Sequence, residues 1–233
     1  MKALLTLGDA HVDLDQARLH LDAFPLDVVV NYDLDGDRDG RPTPADGIAL
    51  PDFGRLTFMF NRNGLTADDA RTLLRTSDQA DAEGLWDHVH HQARFEDVDL
   101  DDVELTSRPE FRLYKLFSGN KGIGPAKASK ILHLKRPWLY PIIDSRFTGG
   151  PRSRGLYRSR ARQAARESRV ARAHGWRVFY WKAIQEDLID NQDSLDTLLN
   201  ELRERADGRE LLGRLSPLRL QDIVAWSEAS ARQ

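Results

Sequence analysis

Gly122-Ile123-Gly124-Pro125-Ala126-Lys127-Ala128-Ser129-Lys130-Ile131-Leu132, with Pro141-Ile142-Ile143-Asp144-Ser145 shortly after it, decides how this chain is read. Upstream, Phe111, Leu113, Tyr114, Leu116 and Phe117 make Pro109 to Phe117 an amphipathic helix, and Ser118-Gly119-Asn120 stops it. Gly122 and Gly124 supply the φ freedom and bare backbone that a tight turn needs beside a ligand. Pro125 takes the first helical position, where its missing N–H costs nothing, and Ala126 to Leu134 continues with good helix formers. The second helix therefore opens on unpaired N–H groups and partial positive charge, which favour an anion. Lys121, Lys127 and Lys130 around it suit a phosphate diester. A plain αα-hairpin with a Gly-rich turn accounts for the same residues.

The hairpin at 109–134 resembles that of the helix-hairpin-helix DNA glycosylase superfamily, the relatives of endonuclease III and the adenine-mismatch glycosylases. Asp144 stands 22 residues after Gly122, in register with that family's catalytic Asp. Pro141-Ile142-Ile143-Asp144 resembles the Pro-apolar-apolar-Asp approach of the mismatch-adenine branch, and the likeness spans about Pro109 to Phe147. The segments His133–Pro137 and Leu215–Trp226 resemble an uncharacterised bacterial family.

The resemblance implies a helical glycosylase-like core with DNA as partner and Asp144 as the catalytic carboxylate. Gly122, Ile123 and Gly124 would hold the DNA backbone, with Lys127 and Lys130 beside them and room for a monovalent cation at the hairpin. Bifunctional members carry a Schiff-base Lys at the fifth hairpin position, where this chain has Ala126. Lys127, one residue later, is turned about 100° around the helix axis. The implied reaction is monofunctional hydrolysis of the N-glycosidic bond of a damaged or modified base. Many members close with a four-Cys iron–sulfur cluster, and this chain has no Cys, so no such cluster is expected.

Asp144 also reads as an N-cap for a helix starting at Ser145. The two roles are compatible, since a capping carboxylate is held in place beside a helix dipole. A non-catalytic DNA-binding module would use it as a cap alone. Trp138 and Tyr140 lie between the hairpin helix and Asp144, where they suit either stacking on an extruded base or ordinary core packing.

Composition bounds the rest. With 40% hydrophobic and 30% charged residues, the 233-residue chain is expected to be globular and cytoplasmic, or nucleoid-associated if it binds DNA. The lack of Cys excludes disulfides and thiolate metal chemistry. No run approaches membrane-spanning length, so no membrane partner is expected. Residues 1–110 hold 10 basic and 24 acidic residues, a balance of −14, and residues 111–233 hold 24 and 13, a balance of +11. An arginine-rich stretch at 152–177 places Arg158, Arg162 and Arg166 on one side of a helix, able to track phosphates. A solvated charged helix gives the same pattern.

The chain reads as a mixed, acidic segment at 1–64 followed by a helical domain at 65–233, mainly α with a small N-terminal β element. A helix is expected at Val12–Phe24, with strand candidates at Leu26–Tyr32 and Leu56–Phe60. Between the strands, Asp35, Asp37, Asp39 and Asp46 match a calcium-loop spacing, although Pro42 and Pro44 and the absence of flanking helices favour a solvated acidic turn. Thr66 to Asp69 reads as a capping box, and Asp78–Phe95 as a helix carrying His88, His90 and His91, which are not assigned as ligands. Helices at Val178–Ile189 and around Leu195–Leu202, then one capped by Ser216, close the core.

Overall fold

The computed structural model describes residues 4–34, 47–59, 64–149, 154–167 and 176–232. Among them the protein is mainly helical, with one two-stranded antiparallel sheet near the N-terminus. The chain forms two compact units: Met1–Phe24, Arg94–Leu105 and Ile143–Gln233 make unit 1, while Pro25–Ala93 and Thr106–Ile142 make unit 2. Each unit thus draws on residues from both sides of position 64.

Unit 1 begins with β1 (Leu4–Leu7) and β2 (Ala10–Asp13), paired from Leu4↔Asp13 to Leu7↔Ala10. Their period-two pattern buries Leu5, Leu7, Ala10 and Val12 on one face. Gly8 turns the hairpin at φ +59, and a Cβ there would meet the Leu156 carbonyl oxygen at 2.3 Å, so only glycine fits. Asn191 acts as a third strand in miniature: its Oδ1 accepts from the Thr6 N–H at 2.8 Å and its Nδ2 donates to the Thr6 carbonyl at 2.7 Å.

Helix α1 (Leu14–Ala23) is capped by Asp13, which accepts from the Gln16 N–H, and its final carbonyls at Leu21 and Phe24 accept from Arg209. The later helices of this unit have N-caps or apolar spacing that the sequence carries openly. Ser216 caps a helix with Pro217 in its first turn, and Leu195, Leu198, Leu199 and Leu202 share one buried stripe.

Unit 2 holds α2 (Leu26–Val28, running into a π-helical turn at Val29–Asp33), α3 (Leu50–Thr57), α4 (Ala67–Ala82), α5 (Leu85–His88), α6 (Pro109–Ser118) and α7 (Gly124–Lys135). Trp86 and Phe117 meet edge to face at 5.8 Å in its core. Arg136 is wholly buried there, donating to the carbonyls of Trp86 and Val89 with its guanidinium 5.4 Å from the Trp86 ring centroid. Lys135 forms a buried ion pair with Asp52 at 2.6 Å, and burial lowers its pKa against the pull of that carboxylate.

Three expectations are corrected. Leu26–Tyr32 is helical, because Val29 and Tyr32 are the buried positions and their spacing of three suits a helix, with the Tyr32 hydroxyl donating to the Lys130 carbonyl at 2.6 Å. Leu56–Met59 belongs to the end of α3 and its following turn, since Pro51 and Asp52 start a helix whose buried residues are Asp52, Arg55 and Leu56. The proposed helix over 78–95 is broken: α4 ends at Ala82, and Gly84 at φ +63 starts the four-residue α5. The small sheet is real, but its strands lie earlier, at Leu4–Leu7 and Ala10–Asp13.

Candidate functional site

The hairpin turn has the backbone its glycines suggest. Gly122 lies at φ +90 and Gly124 at φ +61, and among the described residues nothing stands within 4 Å of where a Cβ on Gly124 would be. No side chain caps α7, whose N-cap is Ile123. Two of the hairpin lysines, however, are engaged by other groups, while Lys121 is exposed. Lys127 pairs with Asp69 at 2.8 Å, and Lys130 donates to the Met59 carbonyl at 3.0 Å. Asp69 is the N3 residue of the α4 capping box, exchanging bonds with Thr66, and its Oδ1 lies 3.1 Å from the Cβ position of Gly122. Burial opposes charge on Asp69, but Lys127 and Thr66 outweigh it and hold the carboxyl below its usual range. The carboxylate at the turn already has its cation in Lys127. This pairing joins residues 58 apart in sequence, and no local pattern announces it.

Trp138 and Tyr140 also belong to unit 2. Tyr140 is buried, with its hydroxyl donating to the Glu110 carbonyl at 2.8 Å and its ring stacked with Tyr114, so it is a core residue and no base can lie on it. Trp138 is half-buried in the turn after α7. The four aspartates of the acidic loop, Asp35, Asp37, Asp39 and Asp46, lie outside the described residues.

Asp144 belongs to unit 1, where it caps the short helix α8 (Ser145–Thr148). Its Oδ1 accepts from the Arg146 N–H at 2.8 Å, and its second oxygen has no partner among the described residues. The side chain is half-buried. Arg146 itself lies over the Trp226 ring at 3.9 Å, which keeps that cation off Asp144. The chain after α8 is pinned back onto it: Leu156 and Tyr157 N–H groups donate to the carbonyls of Arg146 and Phe147. Gly155, at φ +77, passes so close that a Cβ would meet the Gly149 nitrogen at 2.3 Å.

Helix α9 (Arg158–Glu167) follows and packs on α10 (Trp176–Asp190). Ala161 and Ala164 face inward, and Arg158, Arg162 and Arg166 are exposed on the other side. Arg160 anchors the helix through an ion pair with the fully buried Asp187 and a second contact to Glu186 at 3.2 Å. Arg158 and Arg162 have no ion-pair partner among the described residues. They differ in this from Lys127, whose charge is already paired.

A cavity of about 470 Å³ lies between these elements, lined by Thr148, Gly149, Arg158, Trp176 and Tyr180. The Tyr180 hydroxyl donates to the Thr148 carbonyl at 3.0 Å, and the Trp176 ring meets Tyr180 edge to face at 5.7 Å. Burial raises the Tyr180 pKa while the charges of Arg158 and Arg162 pull it down. Sequence reading passed over Trp176 and Tyr180, although their i, i+4 spacing beside an arginine run was a usable signal.

No curated protein and no solved structure matches the chain, while a family model described as "Family of unknown function (DUF6308)" matches residues 62–229. The chain belongs to that family.

Proposed function

We propose that this protein binds DNA, and that the exposed arginine face of α9 in unit 1 is the primary contact. The observation that carries this reading is the exposure of Arg158 and Arg162, without an ion-pair partner among the described residues, on a helix whose opposite side is fixed by Ala161, Ala164 and the Arg160–Asp187 pair. Such a face tracks phosphates and releases counterions on binding, which makes affinity salt-dependent. The uncapped start of α7, with its open Gly124, offers a second anion contact through backbone N–H groups. Anisotropy titrations of a labelled duplex across a salt series test it. Replacing Arg158 and Arg162 with Ala should flatten the log K against log salt slope by about 1.8, at roughly 0.9 per phosphate contact. An unchanged slope would remove α9 from the interface.

The second oxygen of Asp144, without a partner among the described residues, favours a catalytic extension, a monofunctional DNA N-glycosylase. In that reading water adds to the sugar carbon, the base departs with a proton, and the Asp144 carboxylate stabilises the positive charge that develops on deoxyribose. Ala126 in place of an amine fits hydrolysis without strand cleavage. Asp144→Asn keeps an N-cap but removes the charge, so base release should fall on the order of a hundredfold while DNA affinity stays unchanged. Equal release by wild type and variant, or none by wild type across a panel of damaged bases, would leave Asp144 as a cap.

A further inference from the structure

The cavity of unit 1 differs from the rest of the arginine face in having an aromatic wall. Its volume of about 470 Å³ lies within the roughly 300–1,000 Å³ typical of small-molecule sites. Trp176 is 46% exposed, a large apolar ring left in solvent at the pocket's edge, while its edge-on contact with Tyr180 fixes its orientation. Tyr180 is itself tied to Thr148, and the bare backbone of Gly149, at φ +86, makes the adjoining wall. The Arg177 guanidinium stands 5.6 Å from the Trp176 centroid, and Arg158 opens the pocket with a charge that no described acid neutralises.

We propose that this cavity holds one unpaired nucleotide, its base stacked on Trp176 and its phosphate on Arg158. The inference rests on the DNA-binding reading and narrows it. A fully paired duplex hides its base faces in the stack and presents only edges, so a pocket with a half-exposed aromatic wall gains nothing from it. An unpaired base offers a face, and stacking on an aromatic side chain is tolerant of sequence. An anionic metabolite without a ring would use Arg158 and leave Trp176 in water. The shared chemistry, a base with a phosphate, is met both by an unpaired position in a strand and by a free nucleoside monophosphate.

The test compares wild type, Trp176→Ala and Trp176→Phe, each checked for an unchanged thermal transition, in anisotropy titrations with a paired duplex and with a single strand of the same sequence. Wild type should prefer the single strand, Trp176→Ala should lose about tenfold on the single strand and nothing on the duplex, and Trp176→Phe should retain most of the preference. Repeating the titrations with excess thymidine 5′-monophosphate separates the sources: loss of the single-strand preference with duplex binding intact means the pocket also accepts the free nucleotide, and an unaffected preference means it takes a strand alone. Equal wild-type and Trp176→Ala affinity for the single strand overturns the inference while DNA binding stands. Failure of wild type to bind either oligonucleotide overturns the DNA-binding reading and the inference with it.

Discussion

Asp187 shows how one residue can set both geometry and pH behaviour. Its carboxylate accepts from the Gly8 N–H at the β1–β2 turn and pairs with Arg160, so it ties the hairpin to the arginine helix. It is fully buried, and burial pushes its pKa up to about 7 despite the Gly8 N–H, the Arg160 charge and the Tyr157 hydroxyl, which all favour the charged form. A carboxyl whose folded pKa lies above its unfolded value takes up a proton on folding at intermediate pH. Its contribution to stability is therefore greatest at low pH and is lost as pH rises from about 4 to about 7. Within that window the slope from this group is at most about 1.4 kcal/mol per pH unit. Urea unfolding at a series of pH values should show wild type weakening across the window, and Asp187→Asn should flatten that trend. Parallel trends in the two proteins would mean that Arg160 holds Asp187 ionised throughout.

At the scale of the element, legibility followed locality. Helices α6 and α7, the Asp144 cap and the Ser216 cap rest on residues within one turn of each other, and all stand where the spacing predicts. The two misassigned strands contain β-branched or aromatic runs whose propensity is overridden by what they pack against. Val29 and Tyr32 bury a helical stripe, and α3 begins six residues before the apolar run at Leu56 that attracted the strand reading. The candidate site divides in the same way. The arginine spacing of α9 was readable because it is periodic on one helix. The engagement of Lys127 by Asp69 and of Lys130 by Met59 was not, because each joins elements far apart in the chain. Charge counts along a sequence give the cations present, whereas only packing shows which have lost their freedom to meet a phosphate.

For the whole molecule, the family match starts at residue 62, yet both units draw core from residues before it. Unit 1 takes Leu5, Leu7, Val12 and Leu21, each at most 2% exposed, and uses Thr6 to satisfy the buried Asn191 amide. Unit 2 takes Tyr32 and Leu56, both fully buried, and the Asp52 carboxylate that neutralises Lys135. Burying a Leu-sized side chain contributes about 1.5–3 kcal/mol, and leaving a buried charge without its partner costs about 3–5 kcal/mol. Against a total stability of about 5–15 kcal/mol for an ordinary domain, the losses in each unit are of the same size as the stability itself. A chain cut to residues 62–233 should therefore lose its cooperative thermal transition and its near-ultraviolet circular dichroism, and should bind a hydrophobic dye, while keeping much of its helical signal. Adding back a peptide of residues 1–61 should restore the transition in proportion to its concentration, because the missing contacts are then supplied by mass action. A truncated chain that unfolds cooperatively near the wild-type temperature would show that the family-matched residues carry a complete core, and that the N-terminal hairpin and its partners decorate it.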